Sequence, residues 1–222
     1  MLRSHYILGV LVPQIKRFDH LFTEMVFPSF ADPEAQAEKV AQDYWNQKMS
    51  EPCGENGPDE DFGDIADNAH QESLDFYFTM TAMHTTVLNL FAAGLYHLFE
   101  QQAGTWLRDW TGKKEKYPIP PLMKKLNLDP TTPLWARLNE LKHVANVVKH
   151  AEGDAAAQLR VINPAYFQLP AVRGTELEAH ISGGRMLGEP LTGEGLYVTK
   201  ADYDAFVQAV IEFWRWVAGV VG

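Results

Sequence analysis

The stretch FYFTMTAMHTTVLNLFAAGLYHLF, residues 76–99, contains no Asp, Glu, Lys or Arg. Its apolar residues occupy most of the circumference of a helix, which is typical of a helix in the middle of a bundle. The stretch is also long enough to cross a bilayer. Its histidines, threonines and Asn89 would then need hydrogen-bond partners in lipid, whereas neighbouring helices of a bundle can supply them. We therefore predict a long central helix over about residues 71–110 and no membrane span.

The N-terminal part of the chain is expected to add helices to this bundle. Residues 5–28 are apolar with scattered charges, and they predict helical segments on both sides of Pro13, because proline ends or kinks a helix. We interpret them as a buried first segment, since no small-x-small cleavage site follows the apolar run. Asp32 suits a helix cap and Pro33 the first helical position, so a second helix is predicted from residue 33 to about residue 49.

Two segments interrupt the helical pattern. Residues 51–70 combine glycines, prolines and a run of acids, which predicts an acidic mobile loop. Residues 172–198 alternate polar and apolar residues around glycines, which predicts a small β-hairpin or irregular insertion. Thr199 and Asp202 then form a capping-box pattern that opens the C-terminal helix. The expected fold is mainly α, a helical bundle with this small insertion before its C-terminal helix, in a single helical domain covering residues 1–222.

The composition limits the classes of function. The chain has 222 residues, 46% of them hydrophobic, which suits one sizeable core. With 19 Lys and Arg against 29 Asp and Glu, its formal charge of -10 argues against coating nucleic acid through the overall field, although a local basic face is compatible with it. Cys53 is the only cysteine, so neither an intramolecular disulfide nor a thiolate metal cage can form. This favours a reducing, cytoplasmic setting.

The stretch RLNELKHVANVVKHAEG, residues 137–153, contains the candidate functional residues. Each helical residue turns the side chain by about 100°, so positions can be compared on a helical wheel. A core stripe within about 80° is formed by Leu134, Leu138, Leu141, Ala145 and Val148. A polar group within about 60° lies on another side, formed by Asn139, His143, Asn146 and His150. Lys142 and Lys149 flank the polar group. Arg137 lies toward the apolar side, where a guanidinium needs a carboxylate or an open cavity.

The polar group has a structural and a functional interpretation. It could be a solvated face, but Asn and His are poorer helix formers than the Glu, Lys and Gln of ordinary exposed faces. His150 could also bind the last carbonyl groups of the helix, with Gly153 as the helix stop. In the functional interpretation, an imidazole moves protons, Asn positions a phosphate or a sugar, and Lys stabilises developing negative charge.

A long apolar helix, a polar connection and a helix ending in ANVVKHAEG together resemble the HEPN superfamily, a group of helical bundles found in prokaryotic toxin and phage-defence systems. The resemblance covers about residues 70–153. The signature of the family is an Arg followed, after four to six residues, by a His, often as Arg-Asn-x-x-x-His. The resemblance implies a metal-independent ribonuclease that acts as a homodimer, in which the motif helices of two subunits form one RNA-cleaving cleft.

The preferred alignment places Asn146 and His150 on the Asn and the His of the family motif. The arginine position is then Ala145, and Lys149 is the substitute positive charge. In this alignment the resemblance implies that His150 is the general acid or base, that Asn146 orients the phosphate and that Lys149 stabilises charge.

The second alignment pairs Arg137 with His143. Its five-residue spacing fits the motif, but Leu138 then occupies the position of the asparagine, and the two side chains leave the helix about 120° apart. The candidate catalytic residues are therefore His150, Asn146, Lys149, His143 and Arg137.

No cofactor and no metal is predicted. His97 and Glu100 have the i, i+3 spacing of metal ligands in helical bundles, but residues 76–99 supply no carboxylate to complete such a site. Three functions stay open at this point: an RNA-cleaving defence or toxin protein, a noncatalytic helical module that binds RNA, a nucleotide or a protein partner, and a structural dimer whose histidines form a subunit contact.

Overall fold

The structure is a computed structural model that describes residues 2–51, 61–175, 187, 189–193 and 195–222. Nearly all of the described chain is helical and none of it forms a β-strand, which confirms the mainly α-helical prediction. The β-hairpin expected within residues 172–198 is not supported. The described part of that segment has irregular backbone and a 3-10 turn, Pro190–Thr192, and the rest of it lies outside the described residues.

Long and short helices alternate with tight helical turns along the chain. The α-helices are α1 (Leu2–Tyr6), α2 (Val12–His20), α3 (Pro33–Ser50), α4 (Phe62–Thr111), α5 (Ile119–Leu126), α6 (Pro133–His150), α7 (Asp154–Ile162) and α8 (Lys200–Val221). Two π-helical turns, Ile7–Leu11 and Leu21–Val26, flank α2. The 3-10 turns are Phe27–Phe30, Pro164–Phe167, Pro170–Val172 and Pro190–Thr192.

The first segment is helical on both sides of Pro13, as predicted, and the helix continues through it. A π-helical turn ends at Leu11, just before Pro13, which is the second residue of α2. Proline cannot donate a backbone hydrogen bond, and a widened turn accommodates its ring. Ile7, Ile15 and Phe22 are completely buried, so this segment belongs to the core, as expected.

Helix α4 begins at Phe62, so the prediction of a loop over residues 51–70 is wrong for residues 62–70. Residues 52–60 and Cys53 lie outside the described residues. Two of the acids that suggested a loop stand at the start of α4: Asp61 at the cap and Asp64 in the first turn, where they suit the positive end of the helix dipole. Ile65 and Ala69, one turn apart, are buried on the side where α4 can pack against α3.

The core is built mainly from the second half of α4, α6 and α8. The buried residues of the stretch 76–99 all lie at or after Leu88, whereas Phe78 is 64% exposed and Met83 is 46% exposed. The charge-free stretch is therefore central in its second half only. In the part of the chain that the structure describes, no helix is both long and apolar enough to cross a membrane.

Gln102 joins three elements inside this core. Its side-chain amide donates to the Leu11 carbonyl at 3.1 Å and to the Gln14 side chain at 2.9 Å. Its carbonyl oxygen accepts from the indole nitrogen of Trp214 in α8 at 2.8 Å. A buried amide is stable only when its polar atoms are paired, so Gln102 fixes the relative positions of the N-terminal segment, α4 and α8.

The connection before α8 is held on α4 by Asn89, which is completely buried. Its side-chain nitrogen donates to the carbonyl oxygens of Pro190 at 3.1 Å and Leu196 at 2.9 Å. Its side-chain oxygen accepts from the Val198 amide at 3.3 Å. The chain then enters α8 through the predicted capping box, in which Thr199 and Asp202 bind each other's backbone amides.

Candidate functional site

One cleft, of about 540 Å³, lies between the C-terminal end of α6, the start of α7 and one side of α4. Four side chains of α6 line it: Lys142, Asn146, Lys149 and His150. Their spacing of four, three and one residues places them within about 100° on the helix, which is why one wall of the cleft can carry all of them. The structure thus brings together three residues of the preferred alignment and adds Lys142.

The turn that joins α6 to α7 sets the end of this wall. Helix α6 ends at His150, and Ala151 takes a positive φ of 57° while its amide donates to the Val147 carbonyl at 2.8 Å. Glu152 then receives two hydrogen bonds from Arg160 of α7, at 2.6 and 2.7 Å, and one from the Leu187 amide at 2.9 Å. The turn is therefore anchored to α7 and to the connection before α8, and the cleft has a fixed rim.

The hydrogen bonds from Arg160 and from the Leu187 amide hold the pKa of Glu152 down to about 2. A lowered carboxyl pKa stabilises the fold above the unfolded value of 4.5, and this contribution is lost as the pH falls from there toward 2. Glu152→Gln removes the charged partner of Arg160 and is therefore expected to lower the free energy of unfolding by about 1–2 kcal/mol at pH 7. The loss is no larger because solvent partly screens the pair. Urea denaturation at pH 7 and pH 3 measures this difference, which should shrink at the lower pH.

The matched control is Asp204→Asn, which removes the surface ion pair with Lys200 at 2.6 Å. Surface pairs contribute little, so its effect should stay below about 0.5 kcal/mol at both pH values. Equal effects of the two substitutions would show that the Glu152 pair does not fix the turn.

The opposite wall of the cleft comes from α4 and contributes Tyr96, His97 and Glu100. The Nδ1 atom of His97 lies 3.8 Å from a carboxylate oxygen of Glu100. Tyr96 is buried, and its burial together with the Glu100 charge raises the pKa of the Tyr96 hydroxyl. Sequence reasoning singled out His97 and Glu100 only as a metal pair, and it did not place them in the site.

Tyr117 stands at the rim, in the connection between α4 and α5, with 64% of its surface exposed. Sequence reasoning missed this residue too. Its only signal was an aromatic residue in a basic, proline-rich connection, which is too weak to assign a role. The position at the mouth of the cleft makes the ring available for stacking on a flat ligand group.

His143 does not line the cleft. Only 6% of the residue is exposed, and its Nδ1 atom has no hydrogen-bond partner among the described residues. Burial, with a smaller contribution from the charge of Lys142, lowers the pKa of His143, so the ring is held neutral in the protein. The polar group predicted on α6 therefore divides: Asn146 and His150 face the cleft, and His143 faces the interior.

Arg137 lies on the other side of α6. Asn146 follows it by nine positions, which rotates the side chain by about 180°. Arg137 donates to Glu140 at 2.7 Å, and Glu140 also accepts from the Tyr166 hydroxyl at 3.3 Å. The expectation that the guanidinium needs a carboxylate is confirmed, and the alignment of Arg137 with His143 brings neither residue into the cleft.

The cleft lining carries charges of both signs. The α6 wall carries two lysines and His150, and the first turn of α7, at Gly153, Asp154 and Ala155, adds the positive end of a helix dipole. Glu100 on α4 and Asp154 are the carboxylates of the lining. This arrangement suits a ligand with an anionic group on one side and polar hydrogen-bonding groups on the other. Across the described ranges, no three His, Cys, Asp or Glu residues are grouped so that they could hold a metal ion.

Comparisons with protein-family models, with curated proteins and with solved structures give no match to this chain.

Proposed function

We propose that the protein is a HEPN-like ribonuclease of a prokaryotic defence or toxin system, which binds single-stranded RNA in the cleft and cleaves it without a metal ion. The observation that carries the proposal is the convergence of Lys142, Asn146, Lys149 and His150 on one cleft wall. These residue types supply what a phosphodiester needs: positive charge for its oxygens, an amide for orientation and an imidazole for proton transfer.

RNA is the substrate that this set of groups suits best. RNA carries its own nucleophile, the 2′-hydroxyl, so cleavage requires proton transfer and charge stabilisation but no metal-activated water. In this assignment Lys142 and Lys149 contact the non-bridging phosphate oxygens, Asn146 orients the phosphate and His150 transfers a proton. A reducing cytoplasm, where RNA is abundant, is the setting that we propose.

The dimensions of the cleft favour a single strand. A volume of about 540 Å³ is that of a site for one small ligand, so it accommodates a nucleotide unit but not a double helix. The exposed ring of Tyr117 at the rim is placed to stack on a base, which is the usual way in which proteins hold unpaired RNA.

Removal of the cleft lysines is expected to weaken RNA binding. Lys142→Ala and Lys149→Ala should each raise the dissociation constant about 10-fold at low salt, and each should reduce the slope of log K against log salt by about 0.7, the value for one phosphate contact on a single strand. Fluorescence anisotropy with a single-stranded oligoribonucleotide that carries 2′-O-methyl groups measures binding without cleavage. The control is Lys39→Ala, an exposed lysine on α3. An equal loss in Lys39→Ala would mean that the protein binds RNA elsewhere.

A second candidate function is RNA binding without cleavage. It is favoured by the position of Arg137, which is paired with Glu140 on the far side of α6. The described residues that line the cleft therefore include no guanidinium, the group that an intact family motif would supply. The two functions differ in one observable, because both predict binding and only the first predicts product formation.

We also propose that the protein forms a homodimer through an exposed apolar surface. A different protein partner would bind a surface of the same type. The charge-free part of α4 exposes Met83 and Leu90, which lie two turns apart on the same side of the helix. Two copies of a chain with a charge of -10 repel each other, so an uncharged apolar surface is where a second copy can approach at the lowest cost. Light scattering after size exclusion should give a dimer mass for the wild type and a monomer mass for Leu90→Glu. A wild-type monomer at micromolar concentration would contradict the dimer.

A further inference from the structure

Two histidines from different helices line the same cleft. His150 comes from the last turn of α6, and His97 comes from α4 on the opposite wall. They are far apart in the chain and are brought together by the packing of α6 on α4. Cleavage of RNA by its own 2′-hydroxyl requires two proton transfers, one from the nucleophile and one to the leaving group. A cleft with two imidazoles on facing walls contains groups for both.

His97 has two neighbours on its own helix, the ring of Tyr96 and the carboxylate of Glu100. Its Nδ1 atom faces Glu100 at 3.8 Å, so the Nε2 atom is the ring nitrogen left for a substrate. The buried Tyr96 lies close enough to Glu100 for the carboxylate charge to raise the pKa of its hydroxyl group. A carboxylate next to an imidazole orients the ring and stabilises the imidazolium that forms when the imidazole takes a proton.

We propose that His97 is the second proton-transfer residue of this site and that Glu100 positions it, so that one chain carries the whole catalytic set. This inference rests on the proposed ribonuclease function. It goes beyond the resemblance, in which the motif helices of two subunits form one cleft. The assignment of the proton transfers also changes, because His150 no longer has to serve in both.

The reaction balances with these two groups. The neutral His97 takes the proton of the 2′-hydroxyl through Nε2, and the freed oxygen attacks the adjacent phosphorus. The bond from phosphorus to the 5′-oxygen breaks, and protonated His150 gives its proton to that oxygen. The products are a 2′,3′-cyclic phosphate and a 5′-hydroxyl group, with His97 protonated and His150 neutral. Solvent then returns both rings to their starting states, and no oxidant or metal is consumed.

The roles follow from the neighbours of each ring. The imidazolium that forms on His97 meets the carboxylate of Glu100, so the base belongs on the α4 wall. His150 stands beside Lys149 on the α6 wall, the side where the anionic phosphate binds. In this assignment the phosphate binds between His97 and His150, with the attacking and the leaving oxygens on opposite sides of the phosphorus, as an in-line displacement requires.

The test compares variants in single-turnover cleavage of a fluorescent single-stranded oligoribonucleotide in EDTA. His97→Ala should reduce the rate about 10²-fold or more, and added imidazole should restore part of it. Glu100→Gln should lower the rate about 10-fold with unchanged affinity for the 2′-O-methyl oligonucleotide. His70→Ala, an exposed histidine on the same helix outside the cleft, should keep the wild-type rate. A His97→Ala protein that is folded and cleaves at the wild-type rate overturns the inference.

A mixing experiment tests whether one chain carries both groups. His97→Ala and His150→Ala proteins are combined, unfolded in urea and refolded together so that subunits can exchange. If both histidines act within one chain, the mixture stays as inactive as its components. If a site takes one histidine from each subunit, mixed dimers regain activity, and the single-chain proposal is overturned.

The outcomes separate this inference from the proposed function. Wild-type protein that cleaves RNA, together with an active His97→Ala protein, leaves the ribonuclease in place and removes the role of His97. Wild-type protein that binds the 2′-O-methyl oligonucleotide but never cleaves RNA removes the ribonuclease function and this inference with it.

Discussion

His150→Ala is expected to lower the rate of RNA cleavage by about 10²- to 10⁴-fold, the usual contribution of one proton-transfer group. His150 lines the cleft beside Lys149 and Asn146 at the exposed end of α6, so the substitution removes an imidazole without opening the core. The measurement is single-turnover cleavage of a single-stranded oligoribonucleotide in EDTA, with protein in excess. Affinity for a 2′-O-methyl oligonucleotide of the same sequence should change by less than about 10-fold, because the lysines remain.

Two controls test whether the loss of activity is specific to His150 and whether the variant is folded. His70→Ala removes another exposed histidine from a surface outside the cleft and should leave the rate unchanged. Circular dichroism of His150→Ala should match that of the wild type, since an exposed side chain in the last helical turn contributes little to stability. A folded His150→Ala protein with the wild-type cleavage rate would exclude His150 as a catalytic residue.

Asn89→Ala is expected to lower the free energy of unfolding by about 3–5 kcal/mol. The side chain of Asn89 satisfies two carbonyl oxygens and one amide of the connection before α8, all in the interior. Each buried polar group left without a partner costs about 1–3 kcal/mol, and the truncated side chain adds a cavity. Urea denaturation followed by tryptophan fluorescence measures the change.

The matched control for Asn89 is Asn68→Ala, at an exposed position on the same helix. It should change stability by less than about 0.5 kcal/mol, because alanine is the better helix former and no buried bond is lost. An Asn89→Ala protein that loses less than about 1 kcal/mol would show that Asn89 does not hold the connection. A second probe is Gly193→Ala, whose added methyl group would overlap the carbonyl of Ala82 on α4.

Local signals predicted the helix starts well. The Asp32 side chain accepts from the Ala35 amide, and Thr199 with Asp202 forms the predicted box, because capping depends on residues within one turn. The prediction of a loop through residue 70 is wrong for residues 62–70 because the same local signal has two interpretations. A run of acids is typical of a mobile loop, yet acids are also favourable in the first turn of a helix. Only the burial of Ile65 on α4 decides between the two interpretations.

The connection before α8 was not predictable from its alternating pattern. Its backbone groups bind a side chain on α4 that is about 100 residues away in sequence, and a hairpin partner is not needed to satisfy them. A sequence pattern shows periodicity, but it does not show which distant group forms the hydrogen bonds of a segment.

Half of the candidate site was predictable from the geometry of a single helix. Asn146, Lys149 and His150 share one side of a single helix, so helical geometry alone groups them. The α4 wall depends on the tertiary packing of two helices, which no local rule gives, and so the place of His97 in the cleft emerges only from the structure. The wheel also grouped His143 with the exposed residues, because it shows direction around one helix and not what packs against it.

The sharpest experiment on the proposed ribonuclease is incubation of the folded wild-type protein with single-stranded RNA in EDTA, with the product ends identified by mass spectrometry. We expect metal-independent cleavage that leaves 2′,3′-cyclic phosphate and 5′-hydroxyl ends, and no cleavage of the same sequence made of DNA. Intact RNA after prolonged incubation, or cleavage that persists unchanged in His150→Ala, would refute the proposed function.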